Sequence, residues 1–599
     1  MIYHCEDHTC NYWDEGEKLP ERCPQCGRKL LRANEADMTG DDWTALGNTL
    51  WYAEASDKKR MVDCFRKAAY LGSAWGVCNL GICMEQGNGV EADPVQAFWL
   101  YQQAVEMGSL NAVCCLGVCY QYGIGTAPDA KQAAELYRKA AEYGSPRGQM
   151  LLARAFHDGI GVEADAAEAV HWVRAAAYQR YGEGMHRLGV CYAYGDGVEQ
   201  NWEHAVHWFR EAAESGVSAA MTDLGYCYEK GCGVEQSWEQ AFSWYRRSAE
   251  CGNPVSMSNL GLCYKRGYGV EQNWQEAIKW YEQGAQCGDL QSMHNLACCY
   301  EGGEGVEQNE DRAFYWYRRS AEGGNGSAMC NLGRCYKRGY GVEQNWQEAV
   351  KWYEQGAQCG NLQSMHNLAC CYEHGEGVEQ NMTEAIRWYT AAAEGGNADD
   401  MYELGWQYDH GEGVEQDMKK AICWYERAAE QNHPAAMNSL GECYAMGRGV
   451  PRDLETAMEW YRRAAELGEA MADYNMGWHL EQAGKLSEAY AHYRKAADGN
   501  DDSAWWALGR FYENGVVVAQ DGKEARRCYE TGEKLGSVKC KMRLARCKLL
   551  GIGGRRAKKA GLDLCRQALE LAKESSEKED YGYEAEMNLL RRTIAENES

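Results

Sequence analysis

Residues 257–288 read MSNLGLCYKRGYGVEQNWQEAIKWYEQGAQCG, and residues 329–360 repeat this string with few changes. The apolar and small residues of its first half recur at the spacing of a single helix face: Met257, Leu260, Gly261 and Tyr264. Because glycine has no side chain, Gly261 allows a neighbouring helix to approach that face closely. The first half therefore predicts an amphipathic helix that packs against a second one.

The second half of the string predicts a turn and another helix. Gly267 and Gly269 suit the end of the first helix and the turn after it. Asn273 is a preferred N-cap residue, and Glu276, three residues later, can complete a capping box. The apolar face of the second helix comprises Ala277, Trp280, Tyr281 and Ala285. Each copy is thus a helical hairpin that needs neighbouring hairpins to bury its apolar faces.

The same unit recurs along most of the chain. Leucine followed by Gly or Ala returns every 36 residues, and Met476 continues this series. Leu46 begins a degenerate first unit, and Leu508 and Leu544 mark two late units. The step from 476 to 508 is only 32 residues, because the glycine-rich loop is missing there. This periodicity predicts about fifteen hairpins within residues 46–572.

One unit carries the repeated pattern at Leu188, Gly189, Tyr192, Gly195, Gly197, Val198, Ala205, Trp208, Phe209, Ala212, Ala213 and Gly216. This pattern resembles the Sel-one-like repeat, a relative of the tetratricopeptide repeat. The resemblance covers residues 46–572 and implies a right-handed α/α superhelix used for protein–protein contacts, often as an adaptor or scaffold. It also carries an alternative, because some relatives have been linked to β-lactam binding or hydrolysis.

The N-terminal segment differs from the repeats and is rich in thiols. Its CPQCG string resembles the second half of zinc-ribbon and rubredoxin-like knuckles. Four metal ligands in a segment with almost no core predict a structural zinc site, with iron as the alternative metal. The predicted ligands are Cys5, Cys10, Cys23 and Cys26, with His8 as an alternative in the looser first half.

Together these features predict an all-α protein, a right-handed α/α superhelical solenoid of about 15 helical hairpins that follows a small zinc ribbon. The predicted domains are a zinc-ribbon-like metal-binding segment at 1–30, a polar linker at 31–45, the solenoid at 46–572 and a C-terminal capping helix at 573–599. The capping helix is predicted because residues 584–594 are amphipathic and follow a polar break; the alternative is that this helix docks a partner helix.

Charge and hydropathy restrict the partner and the location. The formal net charge is −27, which argues against nucleic acid or an anionic membrane and suits a basic partner. Glutamates in the repeat loops form one acidic edge: Glu199, Glu235, Glu271, Glu307, Glu343, Glu379 and Glu415. We find no 18-residue apolar run and no secretory signal, so we expect a cytoplasmic protein with reduced thiols.

Two repeated residue types resemble catalytic or metal sites but have simpler explanations. A cysteine stands three residues after the repeat leucine in ten units, where it suits a small apolar core position. His186, His294 and His366 share one repeat position, and no carboxylate or serine stands at a fixed offset to form a triad. Phosphate-binding, zinc-protease and dinucleotide motifs are also missing. We therefore predict that the chain is not an enzyme.

The exposed positions of the first helices are the candidate binding residues. In helical repeats these helices commonly line the concave surface, where Trp, Tyr and Arg dominate binding. Most of these residues gather between 402 and 510, which predicts a peptide- or helix-binding groove in the C-terminal third. The candidates are Tyr226, Arg334, Tyr402, Trp406, Tyr474, Trp478, Trp506 and Arg510.

A basic cluster follows this region in an otherwise acidic chain. These basic residues form a solvated surface on the last units, bind an acidic partner or support self-association. Its members are Lys539, Lys541, Arg543, Arg546, Lys548, Arg555, Arg556, Lys558 and Lys559.

The resulting hypothesis is a scaffold that binds a protein or peptide on its concave face. The alternatives are a β-lactam-hydrolase-like enzyme and a zinc-dependent regulator associated with nucleic acid. Nothing in the sequence favours a particular oligomeric state.

Overall fold

The computed structural model describes residues 2–5, 13–15, 30–32, 35–52, 58–578 and 583–598. The contacts divide the chain into two units, Met1–Asn309 and Glu310–Ser599. Within the described parts of the chain, no helix is long and apolar enough to cross a membrane.

The first unit begins with three short strands, β1 (Ile2–Cys5), β2 (Trp13–Glu15) and β3 (Leu30–Arg32). They form an antiparallel sheet in the order β2-β1-β3. Tyr3 is in register with Asp14 on one side and with Arg32 on the other. The strands therefore lie in and next to the segment that the sequence sets apart from the repeats.

The segment 31–45, predicted as a linker, instead contains the end of β3, a 3-10 turn at Glu35–Asp37 and the start of the first helix at Gly40. A capping box begins this helix: the Thr39 hydroxyl accepts from the Asp42 backbone N–H, and the Asp42 carboxylate accepts from the Thr39 backbone N–H at 2.8 Å. The repeat leucines could not reveal this start because it precedes the first of them.

The helices of the first unit are α1 (Gly40–Thr49), α2 (Lys58–Tyr70), α3 (Ala74–Gln86), α4 (Pro94–Glu106), α5 (Leu110–Tyr122), α6 (Ala130–Glu142), α7 (Pro146–Asp158), α8 (Ala166–Tyr178), α9 (Gly182–Tyr194), α10 (Trp202–Glu214), α11 (Ser218–Lys230), α12 (Trp238–Glu250), α13 (Pro254–Arg266), α14 (Trp274–Gln286) and α15 (Leu290–Gly302). A 3-10 turn at Leu50–Tyr52 follows α1.

The helices of the second unit are α16 (Glu310–Glu322), α17 (Gly326–Arg338), α18 (Trp346–Gln358), α19 (Leu362–His374), α20 (Met382–Glu394), α21 (Ala398–His410), α22 (Met418–Glu430), α23 (Pro434–Met446), α24 (Leu454–Glu466), α25 (Ala470–Gln482), α26 (Leu486–Asp498), α27 (Asp502–Asn514), α28 (Gly522–Lys534), α29 (Val538–Leu550), α30 (Lys558–Lys578) and α31 (Glu584–Glu598).

Consecutive helices pack as hairpins in both units, from α1 with α2 to α13 with α14, and from α17 with α18 to α29 with α30. First helices of neighbouring hairpins also contact each other, as α13 does with α15 and α17 with α19. We call the surface that these first helices share the first-helix face. The all-α repeat solenoid predicted from the sequence is confirmed.

In most of the described hairpins an aromatic ring packs over a glycine of the first helix, whereas some first helices, such as α7, α15 and α19, have an alanine at that position. Tyr281 of α14 is fully buried, and a Cβ on Gly261 of α13 would lie 2.5 Å from its Cε1 atom. The same geometry joins Gly333 to Tyr353. The predicted close approach at this glycine is therefore confirmed, and the group that approaches is the tyrosine of the same hairpin.

Other predicted features of the repeat are also present. The Asn273 side chain accepts a hydrogen bond from the Glu276 backbone N–H at 3.1 Å, which caps α14. Gly267 ends α13 with a φ of 73°, in the left-handed region that favours glycine. Cys263, in the repeated cysteine position, is buried, and this burial raises its pKa to about 12. A neutral, buried thiol fits the predicted role as a small apolar side chain.

The last two helices differ from the repeats in length. α30 continues to Lys578, past the predicted domain boundary at 573. α31 packs against both α29 and α30. Its buried residues Met587 and Leu590 contact a cluster that includes Met542 and Leu549 of α29.

Candidate functional site

The candidate binding residues on α21 lie half-buried on the first-helix face. The Tyr402 ring stacks on the His433 ring with centroids 4.9 Å apart, and the Trp406 ring stacks on His410 at 4.4 Å. Asn397 caps the start of this helix by accepting from the Asp400 backbone N–H at 3.3 Å. Stacking on histidine holds both aromatic rings in fixed orientations beside solvent.

A second aromatic pair stands on α25. Trp478 is 37% exposed and meets the His479 ring edge-on at 4.7 Å. Tyr474 is half-buried against Tyr493, and burial raises the pKa of Tyr474 to about 12. Trp478 is therefore the more accessible of the two candidates on this helix.

Trp506 and Arg510 of α27 are already occupied by contacts within the chain. The indole Nε1 of Trp506 donates to Glu586 Oε1 of α31 at 3.3 Å. The Arg510 guanidinium lies 4.6 Å from the Trp506 ring centroid and bonds to Glu481 at 2.8 Å. The C-terminal helix α31 thus covers the first-helix face at Trp506, and Arg510 is held by Trp506 and by Glu481 of α25.

A buried ion-pair network holds α31 in this place. Arg543 donates from Nε and Nη2 to the two carboxylate oxygens of Glu586 at 2.6 and 2.7 Å. Arg543 also bonds to Glu513 at 3.3 Å, and Arg546 pairs with the same carboxylate. Arg543 and Arg546, two members of the predicted basic cluster, are therefore paired with carboxylates on α27 and α31 instead of facing solvent.

The other two candidate residues lie outside this region. Tyr226 of α11, in the first unit, is 44% exposed, and Lys230 Nζ lies 6.0 Å from its ring centroid. Arg334 of α17 is half-buried. Six of the eight candidates thus belong to α21, α25 and α27.

A cysteine–histidine–aspartate constellation lies beside Tyr402 and was missed by the sequence analysis. His366 Nδ1 lies 2.7 Å from Asp400 Oδ1, and His366 Nε2 lies 3.6 Å from Cys370 Sγ. Asp400 precedes Tyr402 on α21, whereas His366 and Cys370 are one helical turn apart on α19. No carboxylate stands at a fixed offset from all three repeat histidines, but His366 obtains one from the next repeat, Asp400.

The charge of this constellation is set by its buried carboxylate. The hydrogen bond to Asp400, followed by that to Cys370, raises the pKa of His366 to about 10, against the effect of burial. The protonated ring has donors at both nitrogens, one toward Asp400 and one toward the sulfur. A cationic imidazole next to a cysteine favours the thiolate, which is the reactive form.

A second thiol cluster lies in the first unit. The Arg147 Nη1 atom of α7 lies 3.7 Å from Cys115 Sγ on α5, and Asn111 approaches Cys78 Sγ on α3 at 3.8 Å. A hydrogen bond with Cys78, assisted by Arg147, lowers the pKa of Cys115 although burial opposes it. These cysteines are buried, so the cluster belongs to the core between neighbouring first helices.

The predicted metal site lies mostly beyond the parts of the chain that the structure describes. Cys5 ends β1, whereas His8, Cys10, Cys23 and Cys26 are outside the described residues. Elsewhere in the described ranges, no group of three or more His, Cys, Asp or Glu residues could hold a metal ion.

The Sel1 repeat model matches thirteen consecutive segments of the chain: 76–109, 112–145, 146–181, 182–217, 218–253, 254–289, 290–325, 326–361, 362–397, 398–433, 434–469, 470–501 and 504–537. The chain belongs to the Sel1 repeat family. Such Sel1 repeat solenoids generally act as protein–protein interaction scaffolds. No curated protein matches this Sel1 repeat chain significantly.

Solved structures include similar Sel1 repeat proteins. One is c5321, a protective antigen present in uropathogenic Escherichia coli strains that displays an SLR fold. It is 32% identical, covers 75% of this chain and 97% of its own, and has a TM-score of 0.50. A Sel1 repeat protein from Oxalobacter formigenes is 31% identical and covers 41% of this chain and 96% of its own, with a TM-score of 0.37.

Proposed function

We propose that this Sel1 repeat protein is an interaction scaffold whose partner binds the first-helix face of the second unit, between residues 402 and 510. The observation that carries the proposal is the docking of α31, because this helix already occupies one end of that face through Trp506 and Arg543. A surface that holds a helix by an aromatic ring and a forked ion pair is suited to binding a helix or peptide.

The docked α31 narrows the surface that is left for a partner. Trp506 and Arg510 are engaged within the chain, so the partner contacts centre on Tyr402, Trp406 and Trp478. Rigid aromatic side chains of this kind dominate binding energy at protein interfaces. Their rings are held by neighbouring histidines, which lowers the entropy lost on binding.

The partner that fits this part of the face is basic. Asp399, whose side chain is 80% exposed, and Glu442 stand on neighbouring first helices near the aromatic residues. The net charge of −27 adds a long-range attraction for positive ligands. Binding to such a partner weakens as salt is added, because salt screens charges that lie near solvent.

The proposal is tested by crosslinked capture from a lysate of the source cells. We expect the double variant Trp406→Ala with Trp478→Ala to lose the specifically captured protein, since each hot-spot tryptophan contributes about 2 kcal/mol, or about 30-fold in affinity. Trp99→Ala is the matched control, because Trp99 is 58% exposed but stands on α4, a second helix of the first unit. Equal capture by the wild type and the double variant would contradict the proposed surface.

We also propose a structural zinc ion held by Cys5, Cys10, Cys23 and Cys26, with His8 as the alternative to one first-half ligand. The register of the sheet supports it: Cys5 pairs with Leu30, which follows Cys26 by four residues, so the CPQCG knuckle can approach Cys5. Metal analysis of the purified chain is expected to give about one equivalent of zinc, and Cys26→Ser to lose it. Iron in place of zinc, or a metal content that Cys26→Ser leaves unchanged, would refute this assignment.

A cytoplasmic location completes the proposal. The buried thiols, such as Cys263 and Cys299, pack as apolar side chains and are free. Free cysteines in this number suit a reducing compartment.

A further inference from the structure

Three side chains of the second unit form a connected relay on the first-helix face. Cys370 Sγ lies 3.6 Å from His366 Nε2, and Nδ1 of the same ring lies 2.7 Å from Asp400 Oδ1. The Asp400 side chain is fully buried, whereas His366 and Cys370 are half-buried and reach solvent. The buried carboxylate is therefore linked through the imidazole to a thiol near solvent, the connectivity that activates cysteine nucleophiles.

The buried carboxylate fixes the imidazole in its charged and oriented state. Asp400 Oδ2 has no hydrogen-bond partner in the described part of the second unit, so His366 is the group that compensates this buried charge. An uncompensated carboxylate in the core is strongly unfavourable, which favours a proton on His366. The second ring N–H then points at the sulfur and stabilises its thiolate.

Other titratable groups face the relay from all three packed helices. They are Glu373 from α19, Tyr389 from α20 and Glu403 from α21. The Tyr389 hydroxyl lies 2.7 Å from Glu373 Oε2 and 3.3 Å from Cys370 Sγ, so it can donate a hydrogen bond to either atom. A donor from tyrosine would add to the stabilisation of the thiolate.

We propose that Cys370 is an activated thiol that undergoes thiol–disulfide exchange with low-molecular-weight disulfides, with His366 and Asp400 as its positioning residues. In this step the Cys370 thiolate attacks one sulfur of the disulfide. A new sulfur–sulfur bond forms while the old one breaks, and the second sulfur leaves as a thiolate. That leaving thiolate takes the proton that Cys370 had given up, so atoms and electrons balance without a further oxidant.

The position of Cys370 gives the modification a consequence. Cys370 stands two residues after the repeat leucine, as Trp406 and Trp478 do in their own units. A mixed disulfide at Cys370 would therefore lie on the first-helix face one hairpin before Trp406, at the edge of the proposed binding surface, and would obstruct a partner that contacts Trp406. This consequence rests on the proposed function, whereas the exchange reaction does not.

The chain contains a matched control for the reaction. Residues 290–301 and 362–373 have the same sequence, so Cys298 stands next to His294 as Cys370 stands next to His366. His294 Nε2 lies 3.8 Å from Cys298 Sγ. The residue 34 positions after His294 is Ala328, whereas the residue 34 positions after His366 is Asp400.

The experiment exposes the full-length protein to oxidised glutathione at pH 7.4, traps the remaining thiols and measures the occupancy of both cysteines by peptide mass spectrometry. We expect Cys370 to exchange about tenfold faster than Cys298, because thiolate character sets the rate. Asp400→Asn and His366→Gln are expected to bring Cys370 within about twofold of Cys298. Slow hydrogen exchange of residues 362–410, as in the wild type, shows that each variant keeps this part of the second unit folded.

A pH series separates positioning from a purely structural role. The pH dependence of the Cys370 rate is expected to differ between the wild type and Asp400→Asn, because the variant lacks the carboxylate that favours a proton on His366. Equal rates for Cys370 and Cys298 in the wild type, or the same pH profile in wild type and Asp400→Asn, would overturn the proposal. Loss of partner capture in Trp406→Ala with Trp478→Ala has no bearing on this result.

Discussion

The helices α15 and α19 begin with the same twelve residues, 290–301 and 362–373, yet they have different surroundings. In α15 the Nδ1 atom of His294 lies 3.5 Å from the Gln291 amide nitrogen. In α19 the equivalent atom of His366 lies 2.7 Å from a buried carboxylate. The local sequence places a histidine and a cysteine on one face in both helices, but the repeat that follows decides what they can do. Duplication of a repeat thus copied the histidine and the cysteine but not the residue at the Asp400 position, which is Ala328 after α15.

This contrast changes how the near-identical repeats are interpreted. Because residues 257–288 and 329–360 are so alike, they suggest spacers that set the length of the array. The spacing role holds for the backbone and for the glycine–tyrosine contact, which are the same in both copies. The spacing role does not describe the surface positions, because equivalent side chains there contact different residues of the neighbouring repeats.

The largest expected effect comes from removing the ring that packs the α19 hairpin. Tyr389 is buried, so Tyr389→Ala should lower the local free energy of unfolding by about 3–5 kcal/mol. Tyr389→Phe is the control that keeps the ring and loses only the hydroxyl contacts, at about 1 kcal/mol. Hydrogen exchange of residues 362–394 measures both, and equal losses would assign the stability to the hydroxyl.

The next effect isolates the feature that separates α19 from α15. Asp400→Asn should destabilise the second unit by about 2 kcal/mol below pH 6.5, because it removes a charge-assisted hydrogen bond. The folded-state pKa of His366 is raised to about 10, so this contribution is complete below the unfolded pKa and fades as the pH rises toward 10. Urea unfolding of the wild type and the variant at pH 6 and pH 9.5 tests the sign. A difference that grows with pH would contradict the ion pair.

A smaller effect is expected where another helix supplies a carboxylate, at α31. Glu586→Gln should weaken the docking of α31 by about 1–2 kcal/mol, since Arg543 then loses its charged partner. Glu584→Gln is the control on the same helix, because Glu584 is exposed. Faster hydrogen exchange of residues 584–598 in Glu586→Gln alone is the expected result. Equal exchange in both variants would mean that apolar contacts of Met587 and Leu590 hold the helix.

The smallest effect on stability is expected at the exposed aromatic surface. Trp478→Ala should change the free energy of unfolding by less than about 0.5 kcal/mol, because Trp478 stands at the surface and is 37% exposed. Thermal unfolding measures this change, and Tyr493→Ala, at a buried tyrosine on the next helix, provides the opposite extreme. A large loss in Trp478→Ala would show that Trp478 is a packing residue and would remove it from the binding surface.

The sequence predicted what lies within one repeat and missed what joins different repeats. Gly261, Tyr281 and Asn273 could be assigned because helix periodicity and capping act over a few residues. The link between His366 and Asp400 spans 34 residues, and the link between Trp506 and Glu586 spans 80.

Such pairings depend on which faces of two helices meet. A consensus repeat pattern does not contain this information, because it describes only the positions that the repeats share. The candidate residues on α21 and α25 could be named because aromatic residues on a first helix stand out against the consensus. That α31 would cover Trp506 could not be read from the same pattern. The contact between α31 and Trp506 depends on how the last hairpins pack, which the structure shows.

In most hairpins, a glycine of the first helix leaves space for an aromatic ring of the second helix, and we call this space the glycine socket. The glycine socket explains how such an array can change its length. The ring that fills each socket comes from the same hairpin, as with Gly261 and Tyr281, so an added repeat brings both halves of its own contact. The offset of 72 residues between the strings at 257–288 and 329–360 equals two whole repeats, so gain or loss of a repeat pair leaves every socket filled. Insertion of a partial repeat would separate a ring from its socket. The segment that is gained or lost is therefore the complete hairpin. The length of the binding surface can change by whole hairpins without a new core.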